Sequence, residues 1–235
     1  MPLAYESKIM ASQFKADCRL FCCPSPCFDL RQEPETKMQQ DFPLICVGGS
    51  AGGLDAYKRL LRNLPANLGI AVVIVNHMRT TASLLDEILP HYTKMPVKLI
   101  TERLHIQPNC VFIIPAQRDL HVLDGEFRLK PISKPRGWPD VITVFLRSLA
   151  QHWQGKLIAV IVSGFDGDGA AALCEIRGVG GVAIAQRLDT AGEPDMPASA
   201  IESGCIDYVL SPEEIPDVIR EIISAKSPPQ DAKKL

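Results

Sequence analysis

The sequence predicts a doubly wound α/β domain. Its sheet is mainly parallel, with helices on both faces and a small antiparallel β-meander or hairpin at one edge. Three observations point to this. Residues 70–75 and 157–162 are apolar, largely β-branched runs, the pattern of strands buried on both faces. Such runs alternate with segments of helical period through residues 42–226, which favours parallel strands joined by right-handed crossovers. A third run, Leu44-Ile45-Cys46-Val47, leads straight into Gly48-Gly49-Ser50-Ala51-Gly52-Gly53 and then into a helix.

That first unit reads as strand, sharp turn, helix. Leu54, Tyr57, Leu60 and Leu61 share one helix face. Residues 70–75 form the next strand and end in Asn76-His77-Met78. Residues 81–92 follow as a helix with Leu84, Leu85, Ile88 and Leu89 inward, and 97–100 as a short strand. The stretches 110–114, 121–123 and 127–130 read as a meander, with Asp124-Gly125 as its hairpin turn. After a loop over 131–139, residues 141–153 are an amphipathic helix. Strand 157–162 ends in Ser163-Gly164-Phe165-Asp166-Gly167-Asp168-Gly169. Helix 170–177, strand 182–185, helix 198–203 and strand 206–210 complete the alternation. Ser211 and Glu214 form a capping box for the last helix.

Residues 1–41 lack periodicity and read as a flexible arm. Residues 227–235 read as a frayed tail. The arm holds Cys18, Cys22, Cys23 and Cys27, whose spacing lacks the C-x-x-C pairs of a zinc site. Cys46, Cys110, Cys174 and Cys205 are dispersed and read as small buried hydrophobes in a reducing compartment. A net charge of −2 gives no footprint for nucleic acid. No apolar run approaches the ~20 residues that span a bilayer, and the N-terminus has no secretory apolar core. The expectation is a cytoplasmic protein with no cofactor, no bound metal and no direct membrane insertion.

In a doubly wound sheet, ligands bind beyond the carboxyl ends of the strands. Three of those ends carry Ser50, His77 and the Asp166/Asp168 pair. Gly48, Ser50 and Gly52 fit the G-x-S-x-G pattern of a nucleophile elbow. Its glycines permit a turn with positive φ, and the helix that follows aims its first N–H groups at a forming oxyanion. Serine, histidine and aspartate supply the nucleophile, the general base and the carboxylate that orients the imidazole. Alternatives remain. A dinucleotide fingerprint needs G-x-G-x-x-G, and Ser50 stands where its second glycine belongs. Asp166 and Asp168, between glycines, also suit an Asx-turn. Gly49, Ala51, Gly52, Gly164 and Phe165 surround the place where a substrate carbonyl would sit.

These segments resemble the catalytic domain of the chemotaxis receptor methylesterases, the CheB family. Gly48 to Gly53 resembles that family's G-A-S-T-G-G, Asn76-His77-Met78 its Q-H-M, and Val162 to Ala170 its L-T-G-M-G-N-D-G-A. Ala185-Gln186, Met196-Pro197 and Ala200-Ile201 resemble its A-Q…G-M-P…A-I segment. The resemblance covers about residues 42–223. It implies Ser50 as nucleophile, His77 as general base and Asp168, rather than Asp166, as the orienting carboxylate. Gly164 and the residues after Ser50 become candidates for holding the oxyanion. It further implies hydrolysis of γ-glutamyl methyl esters on the cytoplasmic helices of methylated chemoreceptors; a partner such as a receptor methyltransferase is expected on a different ground, as a source of control in place of a receiver domain.

Departures from the family pattern are Ala51 for Thr, Phe165 for Met, Pro139-Asp140-Val141-Ile142-Thr143 for R-P-S-V-D, and Asp119-Leu120 where a histidine is usual. The stretch before the elbow is also too short for the receiver domain usual in the family. These departures motivate a second expectation, a signalling module that keeps the fold and binds receptors or a methyltransferase with little or no catalysis.

Overall fold

A computed structural model describes residues 41–77, 84–134 and 139–225. The four clustered cysteines, Met78, the start of the helix expected at 81 and the tail from 227 lie outside the described residues. Seven strands form one sheet in which every pairing is parallel: β1 (Leu44–Gly49), β2 (Ala71–Asn76), β3 (Val97–Leu99), β4 (Cys110–Ile113), β7 (Leu157–Ile161), β8 (Val182–Gln186) and β9 (Tyr208–Leu210). Their order is β3-β4-β2-β1-β7-β8-β9. Winding reverses direction between β1 and β7, and doubly wound sheets open their ligand crevice at such a reversal.

Side chains alternate across the sheet as the pleat requires. Leu44 and Cys46 of β1, with Ala71, Val73 and Val75 of β2, face α3 (Val141–His152), α4 (Leu173–Gly178) and α5 (Asp195–Glu202). Ile45, Val47, Val72 and Ile74 face α1 (Gly53–Asn63) and α6 (Ile215–Ser224). Both faces are covered, which explains why β1, β2 and β7 are continuous apolar runs.

The structure adds detail at three places. Residues 110–113 are not part of a meander but β4 of the main sheet, because Val111 and Ile113 complete the apolar layer under α1. The antiparallel element is a separate hairpin, β5 (Arg118–Leu123) with β6 (Glu126–Pro131), which packs Leu120, Val122 and Phe127 against Phe145 of α3. The expected turn is there, with positive φ at Asp124 and Gly125. The segment ending at Tyr92 is a short α2 (Leu85–Ile88) followed by a 3-10 turn, Leu89–Tyr92, that carries Pro90 near its start. Proline withholds the N–H that would continue the α ladder.

Cysteine usage is corrected in part. Cys46 and Cys110 are buried free thiols, as expected. Cys174 and Cys205 are not: they form a disulfide, Cα to Cα 5.2 Å, tying α4 to the segment after α5. Each sits near a helix end rather than under the sheet, so spacing alone did not reveal the pairing.

Candidate active site

The elbow is built by close approach. At Gly49 a Cβ would lie 2.5 Å from the Tyr57 hydroxyl and 2.7 Å from Val162 Cγ2. Gly52 has φ +74° and caps α1 with no side-chain hydrogen bond of its own. Only glycine takes that conformation without strain, and a Cβ there would also overlap Ser163 Oγ. The turn is held from both sides. Ser50 N–H donates to Ser163 O at 2.9 Å, and Gly53 N–H donates to Ser50 O at 3.0 Å.

β2 delivers His77 beside this turn. His77 N–H donates to Gly49 O at 2.9 Å, and the Tyr57 hydroxyl donates to Asn76 Oδ1 at 2.9 Å, so α1 braces the strand end. His77 is 5% exposed. Ser50 Oγ donates to the backbone carbonyl of His77 at 3.2 Å. Nucleophile and imidazole therefore come from adjoining strand ends, with the hydroxyl resting on backbone.

The carboxylate against His77 is that of Asp166. Its Oδ2 lies 2.7 Å from His77 Nδ1, while its Oδ1 accepts the N–H of Asp168 at 3.0 Å. Asp166 thus closes the Asx-turn and faces the imidazole at once. Asp168, expected in that place, is engaged elsewhere. Its two oxygens accept the N–H groups of Ile142 at 2.8 Å and Thr143 at 2.9 Å. Those are otherwise orphan donors of the first turn of α3, whose N-cap residue Asp140 makes no side-chain cap. The Thr143 hydroxyl accepts the N–H of Gly169 at 2.8 Å and seals the same junction.

Burial would depress the His77 imidazole. The Asp166 carboxylate beside it, with Asp168 and Asp140 farther off, outweighs burial and raises its pKa above the ordinary 6.5. For Asp166, burial acts upward, but His77 and the Asp168 N–H hold the carboxyl below its ordinary 3.8. Burial pushes Asp168 upward despite its bonds to Ile142 and Thr143.

Gly164 was expected among the oxyanion donors, but its N–H is already given to Glu193 O at 3.0 Å. Met196 fills the space a side chain would need there. The N–H groups of Ala51, Gly52 and Phe165 have no acceptor among the described residues. The Phe165 side chain is 53% exposed on the rim. Beside Asp166 opens a pocket of about 280 Å³ lined by Asp140, Thr143 and Arg147 among others. A larger one, about 670 Å³, lies at the far end of α1 around Arg62 and Tyr92, away from this chemistry. Among the described residues no cluster of His, Cys, Asp or Glu is arranged to hold a metal ion, and no helix is long and apolar enough to cross a membrane.

A parallel α/β domain with a serine elbow, a histidine and a carboxylate on one rim defines a hydrolase-type architecture. Residues 45–219 match the family model described as CheB methylesterase. A relative from Leptospira interrogans is 33% identical over 180 residues, covering 76% of this chain and 93% of the relative. The protein-glutamate methylesterase/protein-glutamine glutaminase 4 of Burkholderia thailandensis is 32% identical over 184 residues, covering 77% of this chain and 54% of its own length. The crystal structure of the Thermotoga maritima CheB methylesterase catalytic domain superposes with a TM-score of 0.70 at 30% identity, covering 76% of this chain and 97% of that one. The chain belongs to the CheB methylesterase family, a family of carboxylic ester hydrolases. It spans about half the length of the Burkholderia relative.

Proposed function

We propose that this protein hydrolyses γ-glutamyl methyl esters on the cytoplasmic helices of chemoreceptors, releasing methanol and leaving glutamate. Ser50 Oγ leaves the His77 carbonyl by rotation about χ1 and attacks the ester carbonyl, while the imidazole takes its proton. The tetrahedral oxyanion is held by N–H groups of the elbow. Collapse expels methanol, protonated by the imidazolium, and leaves an acyl-serine. Water activated by His77 then releases the acid and restores Ser50. Asp166 holds the imidazole and stabilises its charged form, and Asp168 anchors the loop that carries Asp166. A glutamine side chain offers the same acyl carbon, with ammonia in place of methanol.

The observation that carries this reading is the His77–Asp166 contact of 2.7 Å adjoining a glycine-built serine turn. Chemoreceptor substrates and a methyltransferase partner, both cytoplasmic, fit the family the chain belongs to. A fluorophosphonate probe tests the chemistry. Labelling at Ser50 that is lost in Ser50→Ala supports it, and a wild-type protein that stays unlabelled refutes it. The second reading, a receptor-binding module without catalysis, is favoured by the Ser50 hydroxyl's bond to a backbone carbonyl rather than to the imidazole. An inert Ser50 combined with retained receptor binding is its signature.

A further inference from the structure

Ser163 ends β7 beside the elbow and is fully buried, at 0% exposure. All of its polar groups are used. Its N–H donates to Gln186 Oε1 at 2.9 Å, and its carbonyl accepts the N–H of Ser50 at 2.9 Å. Its hydroxyl donates to Ala51 O at 2.8 Å and accepts the N–H of Glu193 at 2.8 Å. The two contacts to the elbow straddle the nucleophile: one holds the Gly49–Ser50 peptide through the Ser50 N–H, the other the Ala51–Gly52 peptide through the Ala51 carbonyl.

We propose that the Ser163 hydroxyl is a positioning group for the oxyanion donors of the elbow. The argument rests on peptide geometry. In a trans peptide the C=O and the following N–H point in opposite directions, and the described residues contain no cis bond. Drawing the Ala51 carbonyl towards Ser163 therefore turns the Gly52 N–H away from β7, to the open side of the turn. Neither that N–H nor the Ala51 N–H has an acceptor among the described residues. The space where a Gly52 side chain would stand is taken by Ser163 Oγ. The bond from Glu193 ties the β8–α5 loop to the same hydroxyl, so the oxygen cannot swing away without releasing that loop. Without the hydroxyl, the Ala51–Gly52 peptide is free to rotate, and oxyanion stabilisation depends on donors that are already aimed.

The inference rests on the proposed esterase chemistry, and its test separates the two. Ser163→Ala, Ser163→Cys and Ser163→Thr are assayed on a γ-glutamyl methyl ester peptide beside wild type and Ser50→Ala. Binding of a trifluoromethyl ketone analogue, which forms the oxyanion, is compared with binding of the product acid. The expected result for Ser163→Ala is a kcat about 10–100-fold lower with KM within threefold. Affinity for the ketone should fall by a similar factor, and affinity for the product acid should hold. Ser163→Thr, which keeps the hydroxyl, should restore both quantities to within threefold. Ser163→Cys, matched in size but a weak donor, should show the same split to a smaller degree and serves if the alanine variant does not fold. A folded Ser163→Ala or Ser163→Cys with wild-type kcat and ketone affinity overturns the inference, even if its melting temperature falls. Equal methanol release by wild type and Ser50→Ala overturns the esterase reading first, and this inference with it.

Discussion

Asp166 Oδ2 stands 2.7 Å from His77 Nδ1, while both oxygens of Asp168, two residues on, accept N–H groups of α3. Two aspartates in one short loop thus have different partners, and their substitutions should have different effects. Asp166→Ala should lower kcat by about 10³–10⁴-fold, as expected when a histidine loses its orienting carboxylate. Asp168→Ala orphans two buried donors and should destabilise the fold by about 1–3 kcal/mol. Steady-state rates and thermal denaturation of the two variants decide the matter. If Asp168→Ala folds normally and abolishes turnover while Asp166→Ala remains active, the roles are reversed.

The same contact sets a pH dependence. His77 must be neutral to accept a proton, and its pKa is raised, so the acid limb of kcat/KM should have its midpoint above 6.5. In Asp166→Asn the chief opposition to burial is gone, and the limb should move to lower pH. An unmoved limb in that variant means another group sets it.

Stability should follow the pair as well. The raised His77 pKa contributes stability that is complete below 6.5 and lost as pH climbs through the folded value. The lowered Asp166 pKa contributes stability present above 3.8 and lost as pH falls through its folded value. The contribution is therefore fullest between 3.8 and 6.5. The difference in unfolding free energy between wild type and Asp166→Asn should be largest in that window, as measured by urea titrations across pH.

Gly52→Ala tests the close packing of the elbow. Positive φ and overlap with Ser163 Oγ act together, so a melting-temperature loss should accompany a fall in kcat. Gly69 also has positive φ, but nothing lies near its missing side chain, so Gly69→Ala should lose some stability through backbone strain while kcat is unchanged.

The Cys174–Cys205 bond closes a loop with a sequence separation of 31. By loop entropy its reduction should remove about 3–4 kcal/mol of stability. For a domain of this size that is roughly 6–15 °C in melting temperature. Calorimetry with and without a strong thiol reductant measures it, with the Cys174→Ser/Cys205→Ser double variant as control.

Much of this architecture was legible in the sequence because burial on two faces leaves a local record. Residues 44–47, 70–75 and 157–161, which make up most of β1, β2 and β7, are apolar without a break, so strands, order of alternation and carboxyl-end rim followed together. Ser50 and His77 were legible because each stands within three residues of the end of such a run. What the sequence concealed depends on contacts between distant segments. Asp168 matches the family motif, yet α3 begins beside it with two free N–H groups, and that demand is invisible along the chain. Asp166 carried a usable signal: it is the acidic residue nearer the strand end. Gly164 looked like an open donor until the β8–α5 loop supplied the Glu193 carbonyl. The Cys174–Cys205 pair, placed near helix ends, left no periodic trace.

The most direct test of the central claim is methanol release from methylated chemoreceptor cytoplasmic helices by wild type and Ser50→Ala. Wild type should release methanol catalytically, and Ser50→Ala, folded to the same melting temperature, should fall to background. Release by Ser50→Ala at the wild-type rate, or none by wild-type protein on any methylated receptor helix, would contradict the account.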